Sequence, residues 1–499
     1  MNKQEPACNV PPDSLNQFYG RFEKELPSPQ LPPVCSDNVP SLEVADVTDV
    51  LLRSGINKSC GPDCIPGKLL RVAAQALAEP LCSLFNKCIQ EGVFPAIWKK
   101  SIIVPVPKHN QASIPKDYRP VALTSLIAKT FERLLLRFIQ PALTDDFQFA
   151  YRPHRGTEDA LACLLDVVTE HLDKNPKGFA RCLFIDFTSA FNTISPSILI
   201  NELLNKNLHQ NIVNLIYSFL TDRSQSVVTS MGSSSALSTS VGTPQGCVLS
   251  PLLFTIYIQH IPVPAESNYH ILKYADDIVY IELLNRGQQS TLSETASDMA
   301  AWCAENELVL NVSKTKELCF SNLRFSPVCS GIVIDGVAIE RVESFKYLGT
   351  ILHCKLSFQQ NTEAVVRKAR KRLFIMKQLL ALRTSKTIRK ICYKTFIESI
   401  FKYHISTVYG HMSTSCCRSV DKVIHLAGHL SQCSFQDLAS IYGLCFKTRC
   451  LRMFVCNHQP LLELDRLPSG RYRAVKYRVA VRGKCFRSLC IKLLNQVLF

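Results

Sequence analysis

The sequence predicts mixed α and β structure, of the α/β or α+β class, followed by a mainly helical region. Two observations support this prediction. Segments with helical periodicity alternate with short strand-like segments up to about residue 355. From residue 361 onward the pattern is mainly helical and the composition becomes strongly basic.

The first 140 residues combine an irregular segment with alternating helical and strand-like patterns. Residues 1–40 contain 8 of the 27 prolines and few apolar clusters, which predicts a linker or extended arm. Apolar periodicity predicts helices within residues 41–58, 69–92 and 121–140. The β-branched run SIIVPVPK (101–108) predicts a short strand.

The middle of the chain begins with a buried strand. RCLFIDF (181–187) is an apolar run that ends in an acid, and residues 197–220 are helical in pattern. QSVVTS and ALSTSVG, on either side of MGSS, predict a hairpin. PLLFTIYI (251–258) predicts a helix that starts after Pro251.

The segment ILKYADDIVYIE (271–282) predicts two strands separated by two adjacent acids. A helix is predicted over residues 288–309. TKELCFS (315–321) and IVIDGVAIE (332–340) predict further strands.

The net charge is concentrated in one region. The whole chain carries 57 Lys and Arg against 41 Asp and Glu, a net charge of +16. Residues 361–499 hold 26 basic against 6 acidic residues, a net charge of +20, so the first 360 residues carry −4. A basic region of this size favours a polyanionic partner such as nucleic acid, although a solubilising surface is an alternative.

Composition excludes several classes of protein. With 46% hydrophobic and 20% charged residues, the chain is neither disordered nor collagen-like. No apolar run approaches the roughly 18 residues of a membrane span, and the N-terminus lacks a secretory signal. We therefore expect an intracellular protein, in the nucleus or the cytoplasm, that is not secreted and whose 22 cysteines are reduced.

Three carboxylates are candidates for catalysis. Asp276 and Asp277 lie between two apolar half-strands, where a tight hairpin would place both at its tip. Two ionised carboxylates this close need a cation, and hard divalent ions prefer oxygen ligands. If the strand ending at Asp186 lies beside the hairpin, the cluster can hold two Mg²⁺ ions for in-line phosphoryl transfer. The alternative for the adjacent pair is a solvated turn.

These segments resemble a known family. YADD (274–277), preceded by FIDFTSAF (184–191), is similar to the palm of reverse transcriptases, and the non-LTR (LINE-type) retrotransposon polymerases are the most similar group. Further motifs follow the family's order and spacing: WKKSIIVPVPK (98–108), DYRPVALTS (117–125), FQFAYRPHRGTEDA (147–160), GTPQGCVLSPLLF (242–254), WCAENELVLNVSKTKE (302–317) and FKYLG (345–349).

The resemblance implies an α+β fold of the right-hand polymerase type, with fingers, palm and thumb, and a mainly α basic C-terminal region. It predicts five regions: an N-terminal arm and helix (1–54), an N-terminal extension of the fingers (55–87), the reverse transcriptase domain (88–353), a thumb-like helical region (354–415) and the basic C-terminal region (416–499).

The resemblance also assigns roles to residues. Asp186, Asp276 and Asp277 would be catalytic metal ligands, with the backbone carbonyl of Phe187 helping to hold the second ion. The aromatic ring of Phe191 would exclude the 2′-hydroxyl of ribonucleotides.

Other implied residues would contact substrates. Arg119, and more weakly Lys108, would bind the triphosphate, and Lys314 would protonate pyrophosphate or contact phosphate, with Lys316 as its alternative. Two further groups are the template-and-nucleotide loop, Gly242, Pro244, Gln245 and Gly246, and the primer grip, Tyr347, Leu348 and Gly349.

The function implied is an RNA-directed DNA polymerase that extends a DNA 3′ end on an RNA template with dNTPs. Its cofactor would be two Mg²⁺ ions, with Mn²⁺ as an alternative. We expect no upstream endonuclease, because only about 55 residues precede the first recognisable motif. An inactive, retroelement-derived nucleic-acid-binding protein and a group II intron-type maturase are the competing hypotheses.

A zinc site is an alternative to helix packing for His425, His429 and Cys433, which repeat every four residues. The sequence does not indicate the oligomeric state.

Overall fold

The computed structural model describes residues 8–25, 27, 29–323, 329–455 and 464–497. Its strands are β1 Lys100–Pro107, β2 Tyr118–Leu123, β3 Phe179–Ile185, β4 Arg223–Thr229, β5 Gly232–Ser233, β6 Leu237–Thr239, β7 Tyr269–Tyr274, β8 Asp277–Leu284, β9 Lys316–Ser321, β10 Val333–Ile334, β11 Val337–Ala338, β12 Glu340–Val342, β13 Ser344–Tyr347 and β14 Thr350–His353.

Helices surround these strands. They are α1 Pro12–Tyr19, α2 Val44–Leu52, α3 Gly67–Val72, α4 Ala74–Glu91, α5 Leu126–Ile139, α6 Thr157–Lys174, α7 Pro196–Leu204, α8 Gln210–Leu220, α9 Ser250–Tyr257, α10 Leu292–Glu305, α11 Gln359–Ala381, α12 Lys386–Tyr393, α13 Ser399–Lys402, α14 Ile405–Val408, α15 Thr414–Ser431, α16 Leu438–Val455, α17 Ala480–Gly483 and α18 Phe486–Val497. The predicted α+β class is confirmed.

The chain forms two compact units, each assembled from separate segments. The first unit comprises Met1–Asp145, Phe187–Ile261 and Ala301–Leu310, and the second comprises Asp146–Asp186, Pro262–Ala300 and Asn311–Phe499. The region boundaries proposed at residues 54, 87, 353 and 415 stay predictions.

The first unit contains a sheet with strand order β2-β1-β4-β5, in which β6 also pairs with β4. Strands β1 and β2 are antiparallel, whereas β1 and β4 are parallel. The predicted hairpin is present, because β4 and β6 pair with Ser224 opposite Ser238.

The second unit contains the central sheet, with strand order β12-β9-β3-β8-β7. Its middle strand, β3, is buried along its whole length, as its apolar sequence predicts. It pairs antiparallel with β8 on one side and with β9 on the other. The two predicted half-strands around the paired acids are β7 and β8.

Three secondary-structure predictions need correction. The helix predicted over residues 121–140 begins only at Leu126, because β1 pairs with Tyr118–Leu123 and the Ser125 hydroxyl caps the helix by accepting from the N–H groups of Ile127 and Ala128. The helix predicted over 197–220 is two helices, α7 and α8.

The strand predicted over residues 332–340 is instead a hairpin. Asp335 and Gly336 have φ values of +50° and +76° and reverse the chain between β10 and β11. An Asp-Gly pair between apolar residues is a typical signal for such a turn, and the prediction overlooked it.

The N-terminal arm also differs from the prediction, because it contains α1. Leu15 on this helix is fully buried, and the amide of Asn16 donates to the carbonyl of Ser235 at 2.9 Å. These contacts lie within the first unit and hold the arm against the end of its sheet.

The C-terminal region is mainly helical, as predicted, but it is not separate from the preceding fold. Apolar residues of α16 and α18, such as Phe446 and Leu494, share one buried cluster with α6 and the central sheet. Basic residues of α16 and α17 pair with acids of α6. Arg449 lies 2.6 Å from Asp159, and Arg482 donates to Glu170 at 2.9 Å and also pairs with Asp166. Part of the basic excess is therefore neutralised inside the second unit.

His404 joins this region to the central part of the unit. It is 3% exposed, and its ring nitrogens lie 2.8 Å from the hydroxyls of Thr157 and Thr350. Burial, together with the nearby charge of Arg449, lowers the pKa of His404 to about 4, although Asp159 acts in the opposite direction. The imidazole is therefore neutral at pH 7.

We predict that acid destabilises the fold partly through His404. Between pH 6.5 and 4 the unfolded imidazole binds a proton that the folded one rejects, so the free energy of unfolding should fall as pH drops through this window, by up to about 3 kcal/mol from this group. Denaturant unfolding at several pH values measures the slope. His404→Gln should flatten it, whereas His429→Gln, an exposed position, should leave it unchanged. An unaltered slope in His404→Gln would contradict the assignment.

Candidate active site

The three predicted catalytic carboxylates lie at one end of the central sheet. Strands β7 and β8 are joined by Ala275 and Asp276, with Tyr274 paired to Asp277. On the adjacent strand, Ile185 pairs with Ile278, so Asp186 directly follows β3 next to Asp277. The register of two neighbouring strand pairs therefore brings together acids that are 90 residues apart in the sequence.

The charges in this cluster repel one another. Burial raises the pKa of Asp277 to about 6, and the negative charges of Asp276 and Asp186 add to the increase. Asp276 and Asp277 are nonetheless exposed to solvent at the tip of the turn, which moderates the repulsion. A cation bound at this point would relieve the repulsion and return the pKa toward its usual range.

Asp186 has an unusual environment. Its Oδ2 atom is buried and accepts no hydrogen bond from the described residues, although Lys314 Nζ lies 3.5 Å away. The backbone of Asp186 is held in place by two hydrogen bonds. Its carbonyl accepts from Asn311 N–H at 2.8 Å, and its N–H donates to the Thr315 hydroxyl at 3.4 Å.

The donor set fits a hard divalent cation by its chemistry. Three carboxylates supply oxygen ligands, and Oδ2 of Asp186, which accepts no hydrogen bond from the described residues, is available to a metal. Across the described ranges, no group of three or more His, Cys, Asp or Glu side chains is close enough to constitute a preformed metal site.

Lys314 lies on the turn that supports Asp186. Asn311 organises this turn, because its carbonyl accepts from the N–H groups of Lys314 and Thr315. Lys316, the alternative proposed from the sequence, instead pairs with Glu340 at 2.9 Å. The structure therefore brings Lys314, rather than Lys316, to the carboxylate cluster.

The predicted template-and-nucleotide loop lies in the first unit and is held at several points. Gly242 has φ of +74°, and a Cβ atom there would lie 2.7 Å from the Asn192 backbone. A Cβ atom on Gly246 would lie 2.7 Å from the Ala122 carbonyl. Both glycines are thus required by close backbone approach.

The side chain and backbone of Gln245 are both engaged. Its Nε2 donates to the Asn192 side chain at 2.9 Å, and its carbonyl accepts from Ala122 N–H at 2.7 Å. The Pro244 carbonyl accepts from the Ser250 hydroxyl at 2.9 Å. The loop is therefore fixed to β2 and to the segment after Phe191.

Phe187 and Phe191 flank the start of that segment. Phe187 is buried and forms an isolated β-bridge with Leu310. Phe191 is half-buried, its ring lies 5.0 Å from that of Phe254, and its carbonyl accepts from Thr243 N–H. The backbone of Phe191 is thereby tied to the glycine-rich loop.

Arg119 and Lys108 lie at the β1–β2 hairpin. Arg119 is on β2, paired with Val106, and Lys108 directly follows β1, where its N–H donates to the Asp117 carbonyl at 2.8 Å. Both residues are exposed. The Lys108 side chain also contacts the Lys116 carbonyl. The hairpin therefore presents both cations to solvent.

The predicted primer grip forms the turn between β13 and β14. Leu348 and Gly349 have φ values of +44° and +88°. Tyr347 is buried, with its ring 5.3 Å from that of Phe184, and burial, to which the negative charge of Asp277 adds, raises its pKa. Through this ring contact the turn packs against β3, the strand that ends just before Asp186.

Sequence reasoning missed two residues that support these loops. The carboxylate of Glu132 is buried and accepts from the N–H groups of Val248 and Leu249 at 2.5 and 3.0 Å, after the glycine-rich loop. The Tyr403 hydroxyl donates to the Leu348 carbonyl at 2.7 Å. An acid within the apolar pattern of α5 was a signal for Glu132, whereas nothing in the sequence indicated Tyr403.

The zinc alternative gains no support. His425 and His429 are exposed on α15, and Cys433 lies beyond its end, where its thiol contacts backbone carbonyls.

Among the helices described, none is long and apolar enough to cross a membrane.

Comparison with known proteins gives one family match. Residues 106–352 match the model described as "Reverse transcriptase (RNA-dependent DNA polymerase)". The sequence is 26% identical over 403 residues to the probable RNA-directed DNA polymerase from transposon BS of Drosophila melanogaster, covering 77% of this chain and 44% of the relative.

A second relative is the RNA-directed DNA polymerase from mobile element jockey of Drosophila funebris, 28% identical over 387 residues, covering 73% of this chain and 41% of the relative. This chain thus spans less than half the length of these two curated relatives. A solved telomerase structure from Candida tropicalis, with 12% identity, covers 76% of this chain and 65% of its own at a TM-score of 0.41, too low to support an argument.

We predict that Asp277→Asn stabilises the protein without divalent cations. The ionised carboxylate is disfavoured in the folded state because its folded pKa, about 6, exceeds the unfolded value of about 3.9. In EDTA at pH 7.5 the melting temperature of Asp277→Asn should exceed that of the wild type by roughly 1–3 °C, a range that allows for solvent screening. The difference should disappear by about pH 4, where the wild-type carboxyl is also neutral.

The control for this prediction is Asp298→Asn on the exposed face of α10. A melting temperature of Asp277→Asn that is equal to or below the wild-type value at pH 7.5 would contradict the prediction.

Proposed function

Because residues 106–352 match the reverse transcriptase family, we propose that this chain is the RNA-directed DNA polymerase of a non-LTR retrotransposon. It extends a DNA 3′ end on an RNA template. The observation that carries the proposal is the meeting of Asp186 with Asp276 and Asp277 at the end of the central sheet. The match to two such polymerases from Drosophila supports it.

Asp186, Asp276 and Asp277, with the carbonyl of Phe187, would hold divalent metal. Two Mg²⁺ ions, or Mn²⁺ as an alternative, would lower the pKa of the primer 3′-hydroxyl and neutralise the charge of the triphosphate. The Asp186 Oδ2 atom, which accepts no hydrogen bond from the described residues, and the raised pKa of Asp277 support this assignment. Lys314, 3.5 Å from Asp186, would donate a proton to pyrophosphate or contact phosphate.

The remaining site residues would bind substrates. Arg119 and Lys108 would bind the triphosphate of the dNTP, since both are exposed cations at the β1–β2 hairpin. Gly242, Pro244, Gln245 and Gly246 would support the nascent base pair, and Tyr347, Leu348 and Gly349 would position the primer.

The nucleic acid would also contact α11. Five basic side chains on this helix are exposed: Arg367, Lys368, Arg370, Lys371 and Lys377. Within the described residues none of these five forms an ion pair, unlike the buried Arg449 and Arg482, so the phosphate backbone is the partner that suits them.

We predict Mg²⁺-dependent primer extension on poly(rA)/oligo(dT) by the purified chain. Loss of a residue that only supports a metal ligand typically costs roughly 10–100-fold. Asp276→Ala removes a direct ligand, so it should reduce the rate of primer extension by more than this factor. Asp298→Ala is the matched control and should retain the wild-type rate.

Absence of product from the wild-type chain, or an equal rate with Asp276→Ala, would contradict polymerase activity. Retained RNA binding in that case would favour an inactive nucleic-acid-binding protein.

We predict that Phe191→Val relaxes sugar selection. A smaller side chain leaves room for a 2′-hydroxyl, so the ratio of kcat/KM for dTTP to that for UTP should fall by about tenfold or more, an energy difference of at least roughly 1.4 kcal/mol. Phe254→Leu, which changes the ring packed on Phe191, serves as the control for altered packing alone. An unchanged ratio in Phe191→Val would refute the assignment of this residue as the sugar gate.

A further inference from the structure

The turn that carries two of the catalytic carboxylates is strained. Ala275, the first residue of the two-residue connection between β7 and β8, has φ of +53°. L-residues other than glycine rarely adopt this conformation, because the Cβ atom approaches the backbone carbonyl. Such a residue keeps a positive φ only when surrounding contacts hold it there.

Gln148 supplies such a contact. Its side-chain Oε1 accepts from the N–H of Ala275 at 3.0 Å and from the N–H of Ala150 at 2.9 Å. The residue is fully buried. Because both neighbouring groups are N–H donors, only the oxygen of the amide fits at this position, which fixes the orientation of the side chain.

The backbone around Gln148 is anchored to the same strand. Phe149 N–H donates to the Lys273 carbonyl, and Lys273 N–H donates to the Phe147 carbonyl, both at 2.9 Å. Gln148 and Lys273 therefore form a parallel β-bridge at the edge of β7. Main chain and side chain together attach this segment to the strand and to the turn that follows it.

The side-chain nitrogen of Gln148, unlike its oxygen, does not help to hold the turn. Its Nε2 is buried and has no hydrogen-bond partner in the part of the chain that the structure describes. A buried donor without a partner is costly, so an amide at this position is not favoured by stability alone. The contribution of the Gln148 side chain is therefore the two hydrogen bonds that its oxygen accepts.

We propose that Gln148 is a positioning residue for catalysis. It holds the Ala275 turn in its strained conformation and thereby orients Asp276 and Asp277 toward Asp186 for binding divalent metal. The assignment of these carboxylates as metal ligands rests on the proposed function. Gln148 itself contacts neither metal nor substrate and acts through the backbone of Ala275.

The test compares Mn²⁺ binding to the full chain, measured by electron paramagnetic resonance. Gln148→Met has a similar length and lacks the acceptor, so it should weaken Mn²⁺ binding by about 10–100-fold, as the loss of a supporting partner does at other metal sites. Gln259→Met, at another buried glutamine, should bind Mn²⁺ as the wild type does. Equal Mn²⁺ affinity in Gln148→Met and the wild type would overturn the proposal.

A double-mutant cycle separates positioning from general packing. Glycine tolerates a positive φ, so Ala275→Gly should reduce the cost of Gln148→Met for Mn²⁺ binding. The same fold-loss in both backgrounds would show that Gln148 does not act through the turn.

Gln148→Glu keeps an oxygen acceptor for both N–H groups, and it tests the proposal even if Gln148→Met does not fold. This variant should bind Mn²⁺ within about threefold of the wild type or more tightly, since a carboxylate also attracts the cation. Loss of Mn²⁺ binding equal to that of Asp277→Asn would overturn the proposal.

Primer extension by the wild type is measured in parallel. An inactive wild-type chain that still shows the predicted differences in Mn²⁺ binding would refute the proposed function and leave the role of Gln148 supported. An active wild type with no such differences would refute only the role of Gln148.

Discussion

The pairing of β3 with β8 is the constraint on which the candidate active site depends. It sets Ile185 opposite Ile278 and so places Asp186 beside Asp277. A shift by one residue would turn each side chain of β3 to the opposite face and would separate the buried Arg181 from Glu317, which lies 2.8 Å away. Apolar burial and this ion pair therefore stabilise a register that holds together like charges, which would separate in an unfolded chain.

This cluster shows how stability and function oppose each other. The repulsion that raises the pKa of Asp277 and the buried Asp186 Oδ2, which accepts no hydrogen bond from the described residues, both lower the stability of the metal-free fold. The surrounding structure compensates through apolar packing beneath the sheet and through backbone hydrogen bonds to Asp186. A divalent cation bound by these carboxylates would replace their mutual repulsion with metal coordination. The loss of folding stability is therefore concentrated at the side chains that would bind the cation.

Charge has two different uses in the C-terminal half. Some basic residues, including Arg449 and Arg482, are buried against acids of α6 and attach the C-terminal helices to the central part of the second unit. Others remain exposed on α11. The net charge of a region could not distinguish these uses, because pairing depends on which helices meet. This difference explains why the C-terminal region is basic and yet part of a shared core.

The sequence by itself determined the α+β class, the strand–acid–strand pattern around Asp276 and Asp277, and the resemblance to reverse transcriptases, because local periodicity and motif order are properties of the chain. It misassigned residues 121–123 and 332–340, where strand pairing and turn geometry prevailed over periodicity. Only the tertiary structure decided that Gln148 supports the Ala275 turn, that Glu132 holds the glycine-rich loop, and that Lys314 rather than Lys316 reaches Asp186. These contacts join residues from distant parts of the sequence, and hydrogen bonds between such residues depend on strand register and helix packing that no local pattern encodes.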